Sequence, residues 1–476
     1  MTEWWRWGFE SLAVTGVLFF LGMLAGLGLS FIACRETWQD VCRNQPGARL
    51  FAVTLLLALL LRLAWIAYAQ PEPVSDYSEY WQLGQRIAAG DWTYSSIDKH
   101  PGIILLVAAC FKCFGSPWSI WTMNLLLSAL CMALTYRIGL LMAGPWVALA
   151  AAVLMAFQPQ LIAYSALFAS ELPTLFFYLL LTWFAVRSRQ TDASSLGWVA
   201  LGVALYTAVL TRSTSLLFLG LVPVTCLIFR YGNLRQELKR SAAFVVTACL
   251  LLSTWLYHQH LLTGKWQLFW GGEIWLVSTT HYETQGRLVN PWSVPGLKEK
   301  IRERTKELTG PQNRMAALAV MKEWAIPIIQ QDPVHYLSEG RTRLRHILWT
   351  TSETGIRDTQ AGSTALLRWP EKAVTRLAEV SKQLWRVTLI LALTGLALLA
   401  WRRQEKNARA GMLLIGMFLA IWTTFHYVMA VASDRWAVQI IPYAVLFAGY
   451  SLVECFALLG TFFKRMPNAS VNTSQA

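Results

Sequence analysis

Residues 50–69 read LFAVTLLLALLLRLAWIAYA, and the next distinctly acidic stretch is Ser75-Asp76-Tyr77-Ser78-Glu79-Tyr80. At 1.5 Å per residue, such an apolar run crosses a hydrocarbon core of about 30 Å. The polar stretch therefore marks where a membrane helix re-emerges into water. Beyond it, Tyr77, Tyr80, Trp81, Gly84, Ile87 and Ala88 recur at helical spacing, which predicts a short helix lying in the membrane interface. A carboxylate at position 76, beside aromatic rings suited to sugars or lipid headgroups, fits chemistry on a membrane-bound substrate. The plainer reading is an acidic loop residue that solvates a helix end.

Runs of this kind recur along the whole chain: Leu12–Ala33, Leu50–Ala69, Trp118–Arg137, Leu141–Tyr164, Leu172–Val186, Leu196–Thr211, Leu216–Phe229, Ala242–Tyr257, Leu384–Trp401, Met412–Val431 and Val438–Leu459. Hydrophobic residues make up 55% of the chain and charged residues 14%, which excludes a soluble globular class. The expected fold is an all-α polytopic membrane protein of about 11 transmembrane helices, with interfacial helices and one long external helical segment. Ile103–Phe114 is too short to span and reads as interfacial or re-entrant. Leu12–Ala33 is too long for a signal-peptide core and reads as a retained helix.

Basic clusters such as Arg35/Arg43/Arg49, Arg235/Lys239/Arg240 and Lys464/Arg465 fall on one side of the membrane if Ile103–Phe114 does not cross, and mark that side as cytoplasmic. The net charge of +14 is then anchoring to lipid and phosphate, with no soluble basic domain to engage nucleic acid. The cysteines lie in or beside apolar runs, so neither a disulfide framework nor a zinc module is implied, and Cys110-x-x-Cys113 reads as packing. The chain divides into 1–49 (a first helix and cytoplasmic loop), 50–258 (a transmembrane core with its first external loop at 70–100), 259–383 (external helices), 384–460 (C-terminal crossings) and 461–476 (a disordered cytoplasmic tail). Within 259–383, Arg341, Arg343 and Arg345 are expected near lipid phosphates.

The same parity collects Asp76, Glu79, Asp91, Lys99, His100, Glu171, Arg212, His281, Asp434 and Arg435 on the external face. Glu171 lies between two strongly apolar runs, where charge is costly and tends to mark a site; capping a helix ahead of Pro173 is its structural alternative. Arg62, Arg212 and Arg435 could snorkel or anchor helix ends, or face a cavity and bind a phosphate through a forked guanidinium.

Asp76-x3-Tyr80-x9-Gly90, followed by His100-Pro101-Gly102, resembles the first external loop of the GT-C membrane glycosyltransferases, in the bacterial branch related to protein O-mannosyltransferases and lipid A aminoarabinose transferases. Gln158-Pro159-x4-Tyr164-x5-Ser170-Glu171-Leu172-Pro173 is similar to the family's second acidic motif, and Leu210-Thr211-Arg212 to the arginine that ends a later helix. Arg435-Trp436 with Pro442 resembles its Arg-Tyr…Pro pattern, with Trp in place of Tyr. The resemblance spans roughly residues 50–460, with Leu12–Ala33 outside it as an added helix.

The resemblance implies a GT-C-like bundle that moves a sugar from a polyprenyl-phosphate carrier to a glycan, lipid or protein acceptor on the external face, with inversion, in a bacterial inner membrane. Under it, Asp76 is the general base, its proton affinity raised by a partly desolvated interface. Glu171 orients the acceptor or helps hold a divalent metal (Mg or Mn), a cofactor that no ligand spacing compels. Arg435, with Arg212 or Arg62, stabilises the departing phosphate, while Tyr80, Lys99 and His100 contact sugar or phosphate. Alternative classes are a transporter or flippase for lipid-linked sugars and a polysaccharide polymerase or ligase. Charges clustered at one surface rather than at mid-membrane favour the transferase.

Overall fold

The computed structural model describes residues 12–74, 76–92, 99–188, 194–228, 233–280, 294–350, 354–362, 370–401, 406–428 and 434–465. These residues are helical, in the order α1 (Ala13–Cys42), α2 (Ala48–Ala69), α3 (Asp76–Ala88), α4 (Pro101–Phe114), α5 (Pro117–Ala143), α6 (Pro145–Ala156), α7 (Pro159–Tyr164), α8 (Glu171–Arg187), α9 (Ser195–Thr211), α10 (Phe218–Ile228) and α11 (Leu234–Thr263). There follow α12 (Gly272–Thr280), α13 (Leu297–Thr305), α14 (Gly310–Gln331), α15 (Pro333–Arg345), α16 (Thr354–Gly362), α17 (Glu371–Trp401), α18 (Lys406–Val428) and α19 (Ile441–Arg465). A 3-10 turn, Asp434–Ile440, leads into α19.

Proline sets several of the starts. Pro101, Pro117, Pro145, Pro159 and Pro333 each open a helix, where the missing N–H costs nothing because the first turn has no intrahelical acceptor for it. Ser116 and Asp332 cap two of these, accepting from Trp118 N at 3.2 Å and His335 N at 2.8 Å. Among the described residues, seven spans are long and apolar enough to cross a membrane, and four shorter helical stretches are also apolar. The protein is therefore an all-α, integral multi-pass membrane protein. One expected crossing, Leu141–Tyr164, is corrected: Gly144 (φ +90°) with Pro145, and then Gln158 with Pro159, divide it among α5, α6 and α7.

At the centre is α8, in which every residue from Glu171 to Val186 is buried. A helix that is apolar all round must be enclosed. It packs on α5, which also packs on α6; α19 packs on both α6 and α17, and α9 on α1 and α11. Val277, Leu297, Ile301, Leu318 and Met321 form a separate small core that joins α12, α13 and α14 within the expected external segment. The 3-10 turn before α19 rests against α8.

Helices that stop inside the bundle need acceptors satisfied without water. Arg62 does this for α6. It is buried, and its terminal nitrogens donate to Ala156 O (3.0 Å), Met155 O (3.3 Å) and, within α2, Ala58 O (3.1 Å). This corrects its expected place among the phosphate contacts. Arg343 does the same for α18, donating to Tyr427 O at 3.1 and 2.8 Å and to Tyr336 O at 2.9 Å. It is buried, not directed at lipid phosphates, whereas Arg341 and Arg345 are exposed.

Two measurements check this packing. Arg62→Met keeps the volume but removes the fork, and should lower stability in detergent by about 3 kcal/mol, read as a lower thermal midpoint, because charged hydrogen bonds contribute ~1.5–3 kcal/mol each. A snorkelling arginine would leave the midpoint unchanged. At Gly102, an added Cβ would meet Thr211 N at 2.7 Å and Leu210 C at 2.8 Å, all backbone. Gly102→Val should therefore reduce the yield of monodisperse protein, with overpacking of about 1–3 kcal/mol, while Gly416→Ala, which meets nothing within 4 Å, should not.

Candidate active site

The interfacial helix expected after residue 75 is α3, and it buries Tyr77, Tyr80, Gly84 and Ile87 as one face. Gly84 allows close approach to α4, since a Cβ there would lie 2.5 Å from Val107 Cγ1. Asp76 and Glu79 occupy the first turn of α3, where the positive end of the helix dipole favours carboxylates. Between them stands Lys99, just ahead of α4, with its Nζ 2.7 Å from Asp76 Oδ1 and 3.2 Å from Glu79 Oε2. The lysine is largely buried while the two carboxylates are 41% and 45% exposed, so the acidic oxygens face outward over a sunken cation.

Burial opposes the charge on Lys99, but Asp76, Tyr80 and Glu79 more than offset it and raise its pKa above the ordinary lysine value. A group raised in this way contributes its stabilisation fully below the unfolded lysine pKa, and loses it only as pH climbs through the raised value. Lys99 therefore stays charged through the neutral range. Asp76, expected at a partly desolvated interface, has a side chain that is 41% exposed and paired with an ammonium. Tyr80 is likewise not an open stacking platform: it is buried, with Lys99 Nζ 6.0 Å from its ring centre. Tyr77 Oη donates to Asp358 Oδ2 at 3.1 Å, and Glu72 N donates to Gly362 O at 2.7 Å, so α16 is strapped to the chain that leads into α3.

A second charged pair lies deeper. Glu171 Oε1 accepts from Arg212 Nη1 at 3.3 Å, and the same nitrogen is 3.5 Å from Ser170 Oγ. The glutamate side chain is fully buried and the arginine 9% exposed. No side chain caps the start of α8, so Glu171 begins that helix as a member of an ion pair. The segment leading to it is fixed from α5: Trp121 Nε1 donates to Ala166 O (2.9 Å), and Asn124 Nδ2 to Ser165 O (3.1 Å) and Leu167 O (2.9 Å). These two residues were missed from the sequence. An amide alone in the apolar run Trp118–Arg137 was the available signal, since a polar group in such a helix needs a partner.

The pairs are connected through packing. Trp81 of α3 meets Phe168 edge-on at 4.8 Å, a few residues before Glu171. On the other side Lys99 leads through His100 and Pro101 to Gly102, which abuts Leu210 and Thr211, the residues next to Arg212. The ring of His100 meets Phe269 at 5.2 Å. Asp76, Tyr80, Lys99, His100, Glu171 and Arg212 are thus gathered around the start of α4 and the end of α9, whereas Arg62 is committed to the end of α6. Arg435 lies on the 3-10 turn beside α8, with its side chain, like all of His281, outside the described residues.

No group of three or more His, Cys, Asp or Glu side chains among the described residues could hold a metal ion. Asp76 and Glu171 each already face a cation, so among the described residues these two do not by themselves form a metal site.

Residues 98–270 match the family described as dolichyl-phosphate-mannose-protein mannosyltransferase, a stretch that contains Lys99, His100, Glu171 and Arg212. No curated protein matches in sequence. Among solved structures, the oligosaccharyltransferase of Archaeoglobus fulgidus in its apo form is similar over 89% of this chain and 52% of its own, at 12% identity and TM-score 0.51. The archaeal oligosaccharyltransferase AglB from the same organism, in complex with an inhibitory peptide and a dolichol-phosphate, is similar over 90% and 53% at TM-score 0.48 and 12% identity. ArnT from Cupriavidus metallidurans, bound to undecaprenyl phosphate, is similar over 84% of this chain and 78% of its own, at 15% identity and TM-score 0.42. The chain spans about half the length of the archaeal proteins. The chain thus matches one glycosyltransferase family model over residues 98–270 and shares the helical architecture of the archaeal oligosaccharyltransferase.

Proposed function

We propose that the protein is a membrane glycosyltransferase that takes a sugar from a polyprenyl-phosphate carrier and passes it, with inversion, to a hydroxyl of a glycan, lipid or protein acceptor. The reaction takes place at the surface occupied by α3, read as the external face of a bacterial inner membrane. The observation that carries this reading is the Asp76–Lys99–Glu79 cluster. It joins an exposed carboxylate to a cation at the border of the segment that matches the mannosyltransferase family.

In this reading the acceptor oxygen forms a bond to the anomeric carbon as its proton passes to Asp76. The bond from that carbon to the carrier phosphate breaks, and the phosphate leaves with the electron pair. Lys99 already faces two carboxylates, and a phosphate oxygen exchanged for Glu79 would leave it with two anionic partners. Arg212 and Arg435 add positive charge for the leaving group, which carries the main developing charge. Glu171 holds Arg212 in place and orients the acceptor, and His100 lines the approach.

Asp76→Asn should keep expression and monodispersity while transfer falls by about 10²–10⁴-fold, the usual cost of losing a general base. The assay is purified protein in nanodiscs with a polyprenyl-linked sugar, and near-normal transfer would remove Asp76 from the mechanism. Movement of the lipid-linked sugar between leaflets without a new glycosidic bond would instead identify a flippase. Glu171→Gln should be impaired equally with or without added Mg²⁺ or Mn²⁺. A defect that added metal reverses would show that Glu171 acts through a cation. For Arg435, the lysine variant should retain partial transfer and the alanine variant little, with the loss in donor use. Equal loss of folded protein in both, at unchanged activity per molecule, would make it a helix anchor.

A further inference from the structure

We infer that α1, α3 and α4 enclose a binding site for one anionic phospholipid, distinct from the reacting donor. A cleft of about 360 Å³ opens between these helices, lined by Phe20 of α1, Ile87 of α3, Trp92, and Leu105, Ala108 and Lys112 of α4. Its size falls in the range of small-ligand pockets, about 300–1,000 Å³. Its lining is apolar except at one end, where Lys112 is the single charged residue.

The walls are fixed. Leu12 N donates to Trp92 O at 3.1 Å, and a Cβ at Gly16 would lie 2.9 Å from the Trp92 ring, so α1 is seated directly on that residue. Gly84 seats α3 on α4 in the same way. The cleft is therefore built into the fold. Half of its lining, on α1, on α3 and just after it, lies outside the matched segment, which begins at residue 98.

Charge and depth identify the occupant. Lys112 is exposed, has no acidic partner among the described residues, and sits in the last turn of α4. Close by, Phe114 is 75% exposed and Trp118 46% exposed on either side of the Gly115-Ser116-Pro117 turn. Exposed aromatics of this kind mark headgroup level in a membrane protein. A hydrocarbon chain in the cleft would put its glycerol and phosphate at that level, against the ammonium. Asp91 cannot compete for that ammonium as a free charge, because Arg86 holds it at 2.6 Å. A bilayer-facing cleft with a cation at the headgroup end selects an anionic diacyl lipid over a neutral one.

The test uses the full chain in nanodiscs of phosphatidylcholine with a minor fraction of phosphatidylglycerol, with lipids retained after release counted by native mass spectrometry. The wild type should keep one phosphatidylglycerol per chain. Lys112→Glu should reduce that retention about thirtyfold, since a basic residue near the headgroups contributes ~1 kcal/mol and the acidic one reverses the sign, a change of ~2 kcal/mol. Ala109→Phe, which fills the cleft from a partly exposed position, should abolish retention of either lipid. Equal retention of both lipids by the wild type, or wild-type retention in either variant, would overturn the site and leave only annular lipid. Displacement of the phosphatidylglycerol one for one by undecaprenyl phosphate would also overturn it, because the cleft would then be part of the donor site.

Discussion

A polar group enclosed by apolar helices must find its partner inside the protein, and this constraint arranges most of the molecule. Several helices here end within the bundle, and their last carbonyls are met by side chains that reach across from other elements. Arg62 serves the end of α6 and Arg343 the end of α18. In both cases a planar fork satisfies more than one carbonyl, which a lysine cannot do with the same geometry. Trp121 and Asn124 do the equivalent for the irregular stretch between α7 and α8. With those ends fixed, α8 can begin at Glu171 in the interior, and so a carboxylate comes to stand in an apolar core.

The two charged clusters differ in what it takes to open them. Asp76, Glu79 and Lys99 form a partly exposed group, and pairs of that kind contribute about 1 kcal/mol or less. A competing anion or hydroxyl can exchange with them at small cost. Glu171 and Arg212 are enclosed, and removing one partner from such a pair costs ~3–5 kcal/mol because the other charge is left buried. The enclosed pair is suited to holding shape and the outer cluster to exchanging partners, a difference that follows from their exposure.

Much of the architecture could be read from residue order. The interfacial helix at α3 was visible in its one-sided aromatics, and the short α4 was visible in the prolines and glycines that bracket it. The division of Leu141–Tyr164 was written in Gly144-Pro145 and Pro159, but apolar length masked it. The roles of individual arginines were not legible. Arg62 and Arg212 both interrupt apolar runs, yet one meets carbonyls more than ninety residues away and the other a carboxylate some forty residues away. Spacing along a chain carries no information about such partners. The partner of Asp76 was hidden for the same reason, since the lysine that holds it arrives from the far end of the loop.

The first helix shows how far this coupling extends. By sequence pattern α1 stands apart from the rest, but in the fold it is tied in at both ends. Glu36 meets Arg137 at 2.7 Å and Arg187 at 2.8 Å, and Asp40 meets Arg137 at 2.6 Å, joining α1 to α5 and α8. Midway, Gly22 lies so close to α9 that a Cβ would overlap Thr207, and Thr207 Oγ1 donates to Phe19 O at 3.3 Å. The same α9 ends at Arg212, against the backbone of Gly102. The contacts of α1 with α9, and of α9 with Gly102, therefore place the first helix in the same packed unit as the Glu171–Arg212 pair and the turn that carries Lys99.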